Sequence, residues 1–220
     1  MDTQALWLTL KLATVTTFLL LCVAIPLSHW LAFGKARWRP VVEATATLPL
    51  LLPPTVLGFY LLVLLGPHTA PGRVLIHLIG HPVAFSFSGL VIGSMIYSLP
   101  FAVQPVTTGF STIAPEVLDA ATLLGANRLR ILVNLLLPLA RRSIFTAAVL
   151  CFTHTIGEFG VVLMIGGDIP GATRTLSIAM YDQVQDFRYS QANHTAVLLL
   201  TVSLLALILV YGSGRQVRRV

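Results

Sequence analysis

His154 and Glu158 are the two side chains best placed in this sequence to do chemistry. They stand four residues apart in Thr153-His154-Thr155-Ile156-Gly157-Glu158-Phe159-Gly160. On a helix that spacing puts them on one face. An imidazole and a carboxyl so placed can share a proton, and the hydroxyls of Thr153 and Thr155 add donors beside them. The flanking sequence is apolar on both sides. Ionisable groups at mid-membrane cost roughly 2.5–3.5 kcal/mol on insertion scales, and they face a bundle interior or a water-filled path. The sequence leaves both roles open, structural pairing and path lining. Other constellations carry less. His77 and His81 have a spacing that suits zinc, but Gly66 to Pro82 holds no Cys, Asp or Glu to complete a site. Cys22 and Cys151 lie within apolar runs and read as small buried hydrophobes.

Nothing else in the sequence resembles a catalytic apparatus. There is no G-x-x-x-x-G-K-[ST] stretch to cradle a nucleotide, no H-E-x-x-H and no Ser-His-Asp arrangement. The chain reads as a non-enzyme with no cofactor of its own.

The elements that must position His154 and Glu158 are membrane spans. Of 220 residues, 56% are hydrophobic and only 10% charged, against about 25% charged in a soluble domain. Mean hydropathy is +0.86. At about 20 residues per span, the apolar runs divide into five: residues 5–33, 44–65, 83–106, 143–165 and 192–211. The first reads as a retained span, not a cleaved leader, because its apolar run continues past Pro26. Lys11 near its outer end can snorkel to the interface. Pro49, Pro53 and Pro54 remove backbone donors from the second span and should kink it. Gly89 and Gly93 in the third allow close helix approach. Residues 66–82 and 168–191 read as loops. There is no internal repeat, so residues 5–213 form one all-α membrane domain.

The net charge of +6 does not describe a nucleic-acid surface, because the basic residues flank apolar runs. Lys35, Arg37 and Arg39 form one cluster, Arg128, Arg130, Arg141 and Arg142 a second, and Arg215, Arg218 and Arg219 a third. These are ten of the fourteen Lys and Arg. The positive-inside rule then puts residues 34–43, 109–142 and the C-terminus in the cytoplasm and the N-terminus outside.

One cytoplasmic stretch is built to dock. Pro115 suits a first helical position. Glu116 and Asp119 complement the positive end of the helix. Val117, Leu118, Ala121 and Leu124 share a face. Gly125 fits the left-handed residue that closes a helix. Asn127, Arg128 and Arg130 follow. A helix over about 115–126 is too short and polar to span a bilayer.

The run Asp119-Ala120-Ala121, Gly125, then Leu135-Leu136-Leu137-Pro138 resembles the E-A-A-x3-G-x9-I-x-L-P loop of ABC importer permeases, with Asp for Glu and Leu for Ile. Gly157-Glu158-Phe159-Gly160, the segment Ile169-Pro170-Gly171 through Thr175, and the Leu-Pro-Pro of span two narrow the resemblance to oxyanion permeases of the molybdate type. The resemblance implies the type I permease fold, with 115–126 as the coupling helix. Its coupling residues would be Glu116, Asp119, Ala120, Ala121, Gly125, Asn127 and Arg128. Thr153, His154, Thr155, Gly157, Glu158 and Gly160 would be path or structural residues. It further implies a homodimer in the bacterial inner membrane, in contact with lipid. Two cytoplasmic ATPase subunits would bind ATP and Mg, and an external binding protein would deliver molybdate or tungstate. A sulfate permease is the alternative within the family; a secondary transporter or channel is the alternative outside it. An importer of dianions should not aim a bare carboxylate at its passage. Glu158 is therefore expected to be protonated, paired with His154, or turned to backbone donors near Gly157 and Gly160.

Overall fold

The computed structural model describes residues 2–214 and is helical throughout, with no strand among them. The basic residues Arg215, Arg218 and Arg219 lie outside the described residues. Helix α1 spans Thr3–Phe33 and is capped by the Asp2 carboxylate, which accepts from the Ala5 N–H at 3.0 Å. It packs side by side with α5, Phe87–Ser111, and with α9, Arg141–Gly157. Leu12 meets Leu90 and Val91 toward one end, and Leu20 and Ala24 meet Ala102, Val103 and Cys151 further along. These three helices form the core, and α12, Tyr189–Gly214, leans on α9 from outside.

Among the described residues, three helices are long and apolar enough to cross a membrane: Thr3–Phe33, Phe87–Ser111 and Tyr189–Gly212. Two bent pairs bring the number to five if each counts as one span. In the first pair, α2, Arg39–Thr47, continues as a 3₁₀ turn at Leu48–Leu50 and then turns by 112° into α3, Pro54–Leu64. Residues 44–65 are therefore not one kinked rod. Pro53 and Pro54 supply no N–H, and the residue before each is driven out of helical geometry, so the chain turns instead of bending.

The two segments read as loops each contain a helix. Within 66–82, α4 spans Ala70–Ile79, with the Thr69 hydroxyl accepting from the Gly72 N–H at 3.1 Å and Gly80 closing it at φ +85°. Within 168–191, α11 spans Leu176–Gln185. Prolines and histidines hid the first, although α4 is itself apolar, and polar composition with Pro170 hid the second. Pro71 is a helix-starting residue here, not a breaker.

The third span begins later than residue 83 and extends past residue 106 to Ser111, carrying Pro100 and Pro105 within it. A Cβ on Gly93 would stand 2.6 Å from Ile165 Cδ1, so the small-residue spacing does admit a close neighbour. That neighbour belongs to α10, Gly160–Gly166.

Candidate functional site

The fourth span is broken where its chemistry lies. α9 ends at Gly157, Glu158 is extended at φ −67°, ψ 132°, Phe159 is irregular, and α10 starts at Gly160. Residues 143–165 are thus two helices, not one. Gly160 is required by its neighbour, because a Cβ there would stand 2.7 Å from Pro54 Cβ on α3. Gly157 has open space around it.

A polar cluster joins α5 to this break. Ser98 Oγ lies 2.9 Å from His154 Nδ1 and 3.3 Å from Thr155 Oγ1. The His154 ring sits between Tyr97 and Phe101, with centroids 4.8 and 4.3 Å away. The expected pairing of His154 with Glu158 does not form. The helix ends between them, so the shared face that four-residue spacing implies is lost.

Glu158 is buried, yet neither carboxyl oxygen has a hydrogen-bond partner among the described residues. Nor does it turn to the backbone N–H groups near Gly157 and Gly160. The Ser94 hydroxyl approaches it from α5, and its oxygen is likewise buried without a partner. The backbone of Glu158 is held better than its side chain, since Ser177 Oγ on α11 donates to its carbonyl at 2.5 Å.

Thr153 and Thr155 separate. Thr155 is buried against Ser98, whereas Thr153 donates to the Val149 carbonyl at 2.8 Å and lines an apolar groove between α9 and α12. Ser94, Ser98, Tyr97 and Ser177 were not read as site residues. The signal was there for two of them, since Ser94 and Ser98 stand four apart in an apolar span and so share a face.

The docking segment forms a helix, α6, over Pro115–Leu123, with Glu116 in its first turn. Gly125 has φ +81°. The Gly125 N–H donates to the Thr122 carbonyl at 2.9 Å and the Ala126 N–H to Ala121 at 3.0 Å. This is the Schellman closure, which requires a left-handed residue after the last helical turn. Asn127 then caps the next helix, α7, Arg128–Ile131, by accepting from the Arg130 N–H at 2.8 Å. The expected apolar face is divided: Leu118 and Ala121 are half-buried, while Leu124 is 89% exposed beside Leu123 at 88%. Glu116, Asp119, Ala120, Gly125 and Arg128 are exposed. Beyond α7 the ladder widens to π-helix at Leu132–Leu136 before the short α8, Leu137–Leu139. Pro138 has no N–H for the preceding turn, and the wider register accommodates that loss.

At the opposite end, Arg174 binds Asp168 at 2.7 Å and also reaches Asp182 on α11. The two carboxylates, Asp168 first, push the Arg174 pKa up. Burial pushes Asp182 up although Arg174 opposes it.

The family model of binding-protein-dependent transport system inner membrane components matches residues 24–218. The chain is 46% identical over 214 residues to the molybdenum transport system permease protein ModB of Azotobacter vinelandii, covering 97% of this chain and 95% of that one. It is 32% identical over 200 residues to the putative molybdenum transport system permease protein YvgM of Bacillus subtilis (strain 168), covering 91% and 88%. Among solved structures it resembles the MetNI methionine ABC transporter in an inward-facing conformation, with TM-score 0.73, 18% identity and coverage of 99% and 96%. It also resembles a bacterial ABC transporter that imports alginate, with TM-score 0.74, 17% identity and coverage of 99% and 80%. Those two likenesses bear on the fold, and the identities to the molybdenum permeases bear on the family. With a broken apolar bundle and an exposed helix closed at Gly125, the chain belongs to the binding-protein-dependent inner membrane components, among the relatives of ModB.

Proposed function

We propose that this chain is the transmembrane subunit of an ATP-driven importer that passes molybdate, or tungstate, across the bacterial inner membrane. The observation that carries this reading is the 46% identity to a molybdenum permease over nearly the whole of both chains. Sulfate is not favoured, because the relatives matched over most of their length are molybdenum permeases.

On this reading two copies enclose the path around a two-fold axis. The exposed backbone at Gly157 would face that path, and a second copy would close it. Two ATPase subunits bind ATP and Mg in the cytoplasm. Each receives α6 and its closing turn, where exposed Leu123 and Leu124 present apolar surface and Glu116 and Asp119 add charge. The N-terminus is outside and the C-terminus inside. An external binding protein delivers the anion. Nucleotide binding closes the ATPases, α6 moves with them, and the bundle opens outward; hydrolysis returns it. The passing dianion meets hydroxyl and backbone donors and no arginine cage, so it is released instead of trapped.

Deletion of this chain should abolish high-affinity molybdate uptake and leave sulfate uptake largely intact. Loss of sulfate uptake alone would assign the chain to the sulfate alternative.

A further inference from the structure

A cavity of about 440 Å³ lies between the end of α1 and the docking segment. Its ionisable side chains are His29 on α1 and Arg128 at the start of α7. Its apolar walls include Phe33, Leu118, Ile131 and Leu136. Arg128 is close enough to His29 to act on it electrostatically. None of the ion pairs among the described residues involves Arg128. The cavity thus combines one uncompensated guanidinium with apolar walls.

Its level in the membrane is marked by aromatic rings. Trp30 lines it, and the Trp38 ring lies against the Trp30 ring, tilted by 36° with centroids 4.6 Å apart. Tryptophan concentrates where headgroups begin. Lys35, Arg37 and Arg39 follow at once in sequence. Basic pockets between helices on the cytoplasmic side suit anionic lipid headgroups. A free inorganic anion would use the guanidinium and leave the apolar walls without a partner. A docked ATPase would meet the exposed Leu123 and Leu124, which are not among the residues lining this cavity.

We propose that this cavity binds an anionic glycerophospholipid of the inner leaflet, with its phosphate on Arg128 and His29 and an acyl chain along Phe33 and Ile131. The lipid would join α1 to the segment that bears α6. This inference rests on the orientation given under the proposed function.

Native mass spectrometry of the permease–ATPase complex, titrated with phosphatidylglycerol or phosphatidylcholine of equal chain length, tests it. Phosphatidylglycerol should be retained about fivefold better, the factor that corresponds to about 1 kcal/mol for one basic residue at an anionic surface. Arg128→Gln should reduce its retention to the phosphatidylcholine level. Arg130→Gln, which alters an exposed neighbour outside the cavity, should not. Ile131→Trp fills the cavity without removing charge and should lower retention of both lipids. A chain-photoactivatable phosphatidylglycerol should label the end of α1 and residues 128–136 in the unmodified complex, which covers the case that Arg128→Gln fails to assemble. Equal retention of the two lipids, or labelling elsewhere, overturns the proposal. Displacement by excess inorganic phosphate also overturns it, and assigns the site to a free oxyanion. Cross-linking of Arg128 to an ATPase carboxylate, with lipid retention unchanged in Arg128→Gln, overturns it in favour of a protein contact. Specific lipid retention in a complex that fails to import molybdate would leave this inference standing and remove the transport reading.

Discussion

Ser98 Oγ lies 2.9 Å from Nδ1 of His154 and 3.3 Å from the Thr155 hydroxyl, so a serine on α5 holds α9 at its last turn. Removing it leaves the buried Thr155 hydroxyl and the half-buried His154 ring short of a partner. Interhelical hydrogen bonds in membranes are worth about 0.6 kcal/mol on average and up to about 1.7. Ser98→Ala should therefore lower stability by about 1 kcal/mol, measured as the thermal midpoint of the detergent-solubilised protein. His154→Phe should cost no more, because the ring already rests between Tyr97 and Phe101. A Ser98→Ala protein as stable as the parent would show that this contact is not formed in the membrane.

Among the described residues the Glu158 side chain has no hydrogen-bond partner, which changes what its variants should do. Glu158→Gln and Glu158→Met keep most of the volume and remove the carboxylate. Both should insert at least as well as the parent, because replacing an unsatisfied polar group costs little. Glu158→Ala leaves a void beside Ser94 and should lower inserted protein. Uptake per inserted permease is the decisive quantity. Loss of uptake in Glu158→Gln, with insertion and ATPase binding intact, would make the charge itself functional.

Gly125 sits at φ +81° with no side chain nearby. Its constraint is therefore backbone conformation and not space. Gly125→Asn should be tolerated, whereas Gly125→Val should cost about 1–2 kcal/mol of local strain and reduce transport-linked ATP hydrolysis. Leu124→Asp, at an 89% exposed position, should leave the permease inserted and weaken its capture of the ATPase. Ala121→Trp, at a half-buried position, should act by displacing α6. Normal substrate-stimulated hydrolysis in all three damaging variants would remove α6 from coupling.

Orientation can be read with single cysteines in a Cys22→Ser, Cys151→Ala background. Gln185 and Arg73 are exposed, and cysteine at either should react with an impermeant thiol reagent in intact cells. Gly72, which lies in the same segment, is a poor site. It is buried, and a Cβ there would fall 1.9 Å from the Gly66 carbonyl oxygen. Cysteine at Ala36 or Ser213 should be protected. Labelling of Ala36 from outside would invert the topology. The side chain of Ser213 lies outside the described residues, so that position tests the charge rule alone.

The sequence exposes the parts of this protein governed by local rules. Pro115, Gly125 and Asn127 announce the start of one helix, its closure and the cap of the next, and each acts through its own backbone. The apolar runs likewise reveal α1, α5 and α12, because crossing lipid requires continuous hydrophobicity. What depends on meeting another element is less visible. The break at Glu158 is a compact event inside an apolar run, where hydropathy barely changes. His154 bonds to Ser98, 56 residues away in sequence, and four-residue spacing suggested Glu158 instead. Pro71 could be read as a breaker or a starter, and only the Thr69 cap decides between them. The apolar stripe of α6 divides for a similar reason: Leu118 packs toward the neighbouring core while Leu124 remains outside.

The closeness of α3 to α10 has a mechanical consequence. Gly160 admits Pro54, and Gly58 on α3 admits Met164, since a Cβ at either glycine would come within 2.7 Å of that neighbour. Contact at two points along two short rods fixes both their separation and their relative rotation. Neither rod can slide past the other without first moving apart. The pair should therefore travel as one lever during a transport cycle, with its pivots at the chain breaks around Leu51–Pro53 and Glu158–Phe159.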